Sequence, residues 1–196
     1  MKAIEEIYNT DIYLIDQFMK GRVNRESKIL DAGCGSGRNI RYLLKEGFNV
    51  TAFDPDATKI ELLRQSYTTQ IEKFSCSSIE EFESAERFDF IICNAVLHFA
   101  KDHEHFEKMF EALINLLNTG GIIFIRMTSN IGIERFLKSD IKGVYHLPDD
   151  SFRYLITERK LQDLMNTYQL EFLDPFKSVN VANMRSMSTF VLKNLR

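Results

Sequence analysis

Ten residues constrain this chain more than any others: Leu30-Asp31-Ala32-Gly33-Cys34-Gly35-Ser36-Gly37-Arg38-Asn39. An apolar run of strand character, residues 28–32, leads into them. After them Ile40, Leu43 and Leu44 fall at i, i+3 and i+4, and Gly47 supplies a stop, which predicts a helix over 38–46. A glycine-rich turn between a strand and a helix lets a ligand lie directly on the main chain. A helix start there also offers unpaired N–H groups to an anionic group. Spacing discriminates among ligands. A dinucleotide fingerprint needs glycine at the first, third and sixth positions. Here the sixth position from Gly33 is Arg38 and the sixth from Gly35 is Ile40. No glycine loop ends in Gly-Lys-Ser or Gly-Lys-Thr, so a nucleoside-triphosphate loop is excluded and the pyrophosphate readings are weakened.

The remaining pattern alternates strands with helices. Residues 49–53 read as a second strand, and Asp56 caps a helix running to Gln65 with Ile60 and Leu63 on one side. Residues 71–75 form a weaker strand candidate and 88–93 a stronger one. Between Asp102 and Asn118 the stripe Phe106, Met109, Phe110, Leu113, Leu116, Leu117 predicts a helix. Residues 119–121 then break it and release a strand over 122–125. Thr157 caps a last helix bearing Leu161, Leu164 and Met165, ahead of strands at 170–173 and 189–192. Such alternation predicts an α/β three-layer sandwich with a mostly parallel, seven-stranded sheet. Residues 174–187 are polar, include Pro175 and carry no helical stripe, so the last two strands should pair antiparallel.

With 196 residues the chain suits one domain. Its expected divisions are an N-terminal helical cover (1–25), a cofactor-binding core (26–126), a lid or substrate segment (127–157) and a final helix with its strand pair (158–196). Lys plus Arg number 25 against 28 Asp plus Glu, and no basic stripe stands out, so a nucleic-acid partner is disfavoured. Cys34, Cys76 and Cys93 build neither a disulfide framework nor a C-x-x-C metal clip. Residues 1–6 lack a secretory or transit character, and no apolar run is long enough to span a bilayer. A cytoplasmic protein without a membrane partner is the expectation.

Asp54 closes the second strand, 21 positions after Gly33. An acid there is placed to accept two charge-assisted hydrogen bonds from vicinal ribose hydroxyls. A turn or cap role for Asp54 competes with that reading, although Asp56 fills the cap equally well. At these residues the sequence resembles the class I methyltransferases that use S-adenosylmethionine. Asp31 with Gly33, Gly35 and Gly37 matches their first motif and Asp54 their second-strand acid, and the resemblance covers roughly residues 26–128. The chain is similar to small bacterial members that act on small molecules.

The resemblance implies that residues 33–37 hold the methionine part of the cofactor, with Cys34 and Asn39 in the same loop and Asp31 ordering the amino group. It assigns the ribose to Asp54 and packs Pro55 against adenine. It places Ser78 and Ile79 at the adenine edge, where the family often has an Asp, and sets Asn94, Ala95 and Val96 near the reactive methyl. Residues 94–97 are not the Asn-Pro-Pro-aromatic motif of base-amino methylation. No Asp ends the fourth strand as a magnesium ligand, and no cysteine sits where a base-attacking nucleophile would. A metal-free reaction on a small molecule remains.

Methyl transfer from a sulfonium mainly needs alignment and exclusion of water; a base is needed only for a protonated acceptor. His98 is the candidate base, against a plain packing role in its loop. His103 and His105 point to different helix faces and read as solvated. In residues 127–156, Tyr145, His146, Arg153 and Tyr154 are candidate substrate contacts, with core covering as the competing reading, and Arg126 suits an acidic substrate group. Tyr8 or Tyr13 could cover the cofactor, although a packing stripe accounts for residues 4–19 equally well. Three other functions compete: a tRNA or protein methyltransferase, a non-catalytic S-adenosylmethionine-binding protein, and a nicotinamide oxidoreductase. The oligomeric state is not legible.

Overall fold

The computed structural model describes residues 7–137 and 140–196, so the expected character of residues 1–6 lies outside the described residues. The chain forms two compact units, the first ending at Ile92 and the second beginning at Cys93.

In the first unit β1 (Lys28–Ala32) runs parallel to β2 (Asn49–Asp54) on one side and β4 (Phe88–Asn94) on the other, and β3 (Phe74–Cys76) runs parallel to β2. Ile29, Leu30, Val50, Ala52, Phe90 and Ile91 are all fully buried, as a parallel sheet covered on both faces requires. Helix α1 (Ile12–Met19) starts on Asp11, whose carboxylate accepts from the Tyr13 N–H. Helix α2 (Arg41–Lys45) is short, and α3 (Ala57–Ser66) starts on the expected Asp56, which accepts from the Thr58 and Lys59 N–H groups. The weak strand expected at 71–75 is instead a 3-10 turn, Thr68–Lys73, followed by the three-residue β3.

In the second unit α4 (His103–Asn115) buries Phe106, Met109, Phe110 and Leu113 as its stripe predicts. Leu116 and Leu117 are buried too but lie beyond the helix, because β5 (Leu117–Ser129) begins five residues earlier than expected. Gly120 does not break the chain: it takes φ +76° inside the strand, a conformation that costs glycine little. The small strands β6 (Asp140–Ile141), β7 (Val144–His146) and β8 (Phe152–Tyr154) form a three-stranded antiparallel sheet in the segment expected to be a lid. Ile133, Leu147 and Leu155 form a buried cluster in the same segment. Helix α5 (Glu158–Tyr168) is capped by Thr157.

The closing strands are β9 (Leu170–Phe172), β10 (Lys177–Val181) and β11 (Arg185–Asn194). The last is antiparallel to β5, β9 and β10 alike. The main sheet runs β10-β11-β5-β4-β1-β2-β3 with β9 also against β11, eight strands where seven were expected. The extra strand is β10. Its Lys-Ser-Val-Asn-Val is half-exposed or exposed throughout, so the hydrophobic pattern carries no signal for it. No helix among the described residues is long and apolar enough to cross a membrane.

Candidate active site

The glycine loop is pinned to the tip of β2. The N–H groups of Gly33 and Cys34 both donate to the Phe53 carbonyl at 2.9 Å. The Gly35 N–H donates to Asp54 Oδ2 at 2.8 Å, and the Asp56 N–H donates to Asp54 Oδ1 at 3.0 Å. Asp54 therefore organises the loop, a role that its position in the sequence did not disclose. Each of its oxygens keeps a further lone pair for a ligand hydroxyl. Gly37 has φ +79°, and a Cβ there would lie 2.5 Å from Leu63 Cδ1. Turns continue to Ile40 and α2 has only five residues. The expected helix start is thus displaced, and the turns, not a helix dipole, present the backbone.

Asp31 is 1% exposed, and its Oδ2 has no hydrogen-bond partner among the described residues. Burial raises its pKa to about 7; Arg38 opposes this and Asp54 adds to it. A lone carboxylate in that condition is matched by a cationic ligand group, and an ammonium would restore its charge. The residues therefore fit the methionine end of S-adenosylmethionine. Burial, reinforced by Asp31 and Asp54, pushes the Cys34 thiol up, so it stays neutral. Asn39 faces the N-terminal segment: its Oδ1 accepts from the Asp11 N–H at 3.1 Å, and the Thr10 hydroxyl donates to the Arg38 carbonyl at 3.3 Å. Pro55 is exposed and Ile79 buried. The Ser78 hydroxyl donates to Glu81 at 3.2 Å.

In the second unit the structure brings Ala95, His98, Arg126 and Arg153 to one cavity of about 300 Å³. Ala95 holds φ +63° and donates its N–H to the Arg126 carbonyl at 2.7 Å, a strained turn of the kind that clusters at functional sites. Val96 follows it, half-buried. Asn94, at the end of β4, is buried, with neither side-chain polar atom hydrogen-bonded among the described residues. His98 is likewise buried, and its Nδ1 makes no hydrogen bond among the described residues. Burial first, then Arg153, Arg185 and Arg126, lower its pKa to about 4, so the ring is neutral at pH 7.

Three of the expected substrate contacts sit elsewhere. Tyr154 is a core residue: it is 1% exposed and stacks on Phe106 at 4.4 Å, and its hydroxyl lies 3.0 Å from His103 Nδ1. Gly143 leaves room for that pair, since a Cβ there would meet Tyr154 at 2.5 Å and His103 at 2.7 Å. Tyr145 packs on the Ile133–Leu147–Leu155 cluster. His146 pairs with Asp150 at 2.7 Å and stacks on Phe152. His103 and His105 are not simply solvated, because His105 Nδ1 accepts from the Lys101 N–H at 3.0 Å. Sequence reasoning missed Arg185 and Asp149, which also line the cavity. No local motif marks either one.

A methyltransferase domain family matches residues 13–174. A ubiquinone biosynthesis O-methyltransferase of Rickettsia bellii is 34% identical over 110 residues, which is 54% of this chain and 42% of that protein. The chain thus spans less than half the length of that relative. Among solved structures, an SAM-dependent methyltransferase of Methanosarcina mazei superposes with a TM-score of 0.72 at 17% identity, covering 91% of this chain and 97% of the other. The Burkholderia thailandensis 1,6-didemethyltoxoflavin-N1-methyltransferase, solved with bound 1,6-didemethyltoxoflavin and S-adenosylhomocysteine, superposes with a TM-score of 0.69 at 19% identity, covering 98% of this chain and 82% of the other. Its fold is shared with class I S-adenosylmethionine-dependent enzymes, and the family match runs from α1 to just past β9, so the chain belongs to the methyltransferase domain family.

Proposed function

We propose that this protein transfers a methyl group from S-adenosylmethionine to a small-molecule acceptor. The observation that carries this reading is the buried Asp31 oxygen with no hydrogen-bond partner among the described residues, at the start of a glycine loop that Asp54 pins through the Gly35 N–H. When bound, S-adenosylmethionine supplies a methyl group on a positively charged sulfur, which an acceptor displaces in line. Asp31 pairs with the ammonium group, and the free lone pairs of Asp54 accept from the ribose hydroxyls. The backbone of residues 33–37 carries the methionine portion. Pro55, Ser78 and Ile79 border the adenine. Asn94, Ala95 and Val96 would be the residues for the methyl end, and the Asn94 side-chain polar atoms, without a hydrogen bond among the described residues, are available to a ligand. Asn39 positions the loop through the Asp11 N–H.

His98 is the proton acceptor in this scheme, through a neutral ring nitrogen. With a pKa of about 4 it is a weak base. It therefore deprotonates only an acidic acceptor, and one that arrives already ionised needs no base. The test is turnover. The protein is incubated with methyl-labelled S-adenosylmethionine and a small-molecule extract, and the labelled product is identified. A labelled small molecule together with S-adenosylhomocysteine is expected. Label appearing only in RNA or protein would move the substrate class. Binding without any turnover would make this a sensor of the cofactor.

A further inference from the structure

We propose that the second-unit cavity binds an oxyanion, a carboxylate or a phosphate ester, carried by a small acceptor with an apolar body; this rests on the methyl-transfer reading. Three guanidinium groups and one carboxylate line the cavity, in a chain whose net charge is −3. The cations come from separate elements: Arg126 from β5, Arg153 from β8 and Arg185 from the start of β11. Guanidinium groups gathered on one cavity wall make a positive field that attracts an anion. The carboxylate among these lining residues, Asp149, is held by Ser151 and pairs with Arg185. Its Oδ1 accepts from the Ser151 hydroxyl at 2.6 Å and N–H at 3.2 Å, and its Oδ2 lies 3.3 Å from Arg185 Nη1. Arg153 is aimed by two contacts, lying 4.8 Å over the Phe99 ring and donating to the Phe152 carbonyl at 2.7 Å. Planar forked donors held this way recognise the two or three coplanar or tetrahedral oxygens of a carboxylate or phosphate. His98 reports the same field, since all three arginines act to keep its ring unprotonated. Leu147, Val181 and Met187 complete the wall with apolar surface. About 300 Å³ is room for a small molecule.

The probes are benzoate, phenyl phosphate and the neutral benzamide, titrated into the protein by calorimetry and by NMR of the His98 ring proton, assigned with His98→Gln. Expected is binding of at least one anion about tenfold or more tighter than benzamide, with a shift of the His98 resonance. The tighter anion names the group, carboxylate or phosphate. Arg153→Gln and Arg185→Gln should each weaken the anion about tenfold and leave benzamide unchanged, and Arg185→Lys should fall between. Thermal unfolding checks that each variant folds, and the exposed Arg185 keeps the test open if Arg153→Gln does not. Equal affinity for benzamide and the anions, no binding by any probe, or anion affinity indifferent to both Gln substitutions would each overturn the proposal. S-adenosylmethionine is titrated in parallel. Its binding without anion preference sinks this inference alone; anion preference without its binding sinks the methyl-transfer reading alone.

Discussion

The glycine-loop region and the arginine cavity solve opposite electrostatic problems. At the foot of the loop one oxygen of the buried Asp31 carboxylate has no hydrogen-bond partner among the described residues, while Asp54 holds two backbone N–H groups and keeps a lone pair on each oxygen. The cavity gathers three cations around a neutral imidazole. In the functions proposed above, one region takes the positive end of a ligand and the other a negative group. They also differ in construction. The loop is a contiguous stretch whose ligand-facing atoms are largely main chain. The cavity is assembled from side chains far apart along the chain.

The largest expected effect separates the two. Asp54→Ala removes the acceptor for the Gly35 and Asp56 N–H groups as well as the ribose contacts. S-adenosylmethionine affinity should fall by about 3 kcal/mol, or roughly hundredfold, with benzoate binding unchanged. Calorimetry with both ligands checks this, and an equal loss of both would erase the contrast. Gly37→Ala comes next. Its new Cβ would crowd Leu63 at a φ of +79°, so urea unfolding should show a loss of about 1–3 kcal/mol.

A pH series sharpens the contrast further. Only ionised Asp31 pairs with an ammonium, so cofactor affinity should drop up to about tenfold per pH unit below about 7, with proton release on binding near neutrality. Asp31→Asn should bind more weakly at pH 8 and lose that dependence. The same shift acts on stability. A carboxyl whose folded pKa lies above its unfolded value contributes stability at low pH that is lost as pH rises through about 7. Asp31→Asn should therefore make the free protein more stable at pH 8 than the parent. A parent no less stable at pH 8 than the variant would show that Asp31 has a partner after all. The smallest effect lies far from either ligand. Thr157→Ala removes the α5 cap and should cost about 1 kcal/mol in thermal unfolding without touching either affinity.

The same difference in construction explains what was legible in the amino-acid sequence. Asp31, the alternating glycines and Asp54 are local, and so are the caps at Asp56 and Thr157, whose short polar side chains answer to the next three residues. The sequence suggests a ribose contact for Asp54 and says nothing of its hold on Gly35, because that hydrogen bond depends on the β1–β2 register. Strand β10 went unseen because an edge strand solvated along its length has no apolar alternation. Arg185 and Asp149 went unseen because an ion pair 36 residues apart leaves no spacing to recognise. The aromatic segment misled in one respect. Tyr154 looked like a substrate contact because residue type alone does not say which side of a strand faces the core, and on β8 it is Tyr154 that is buried while Arg153 borders the cavity.

That alternation on β8 has a kinetic corollary. Tyr154 is fastened by its ring to Phe106, by its hydroxyl to His103, and by its carbonyl, which accepts from the Thr128 hydroxyl at 2.9 Å. The next two residues are stitched to Gly143 and Thr128. Arg153 therefore travels with a strand that has little freedom to swing, and an incoming molecule meets its cation already in place. Encounter, and not ordering, then sets the speed of capture. The association rate should fall with ionic strength as long-range attraction is screened, while the rate of escape stays nearly constant.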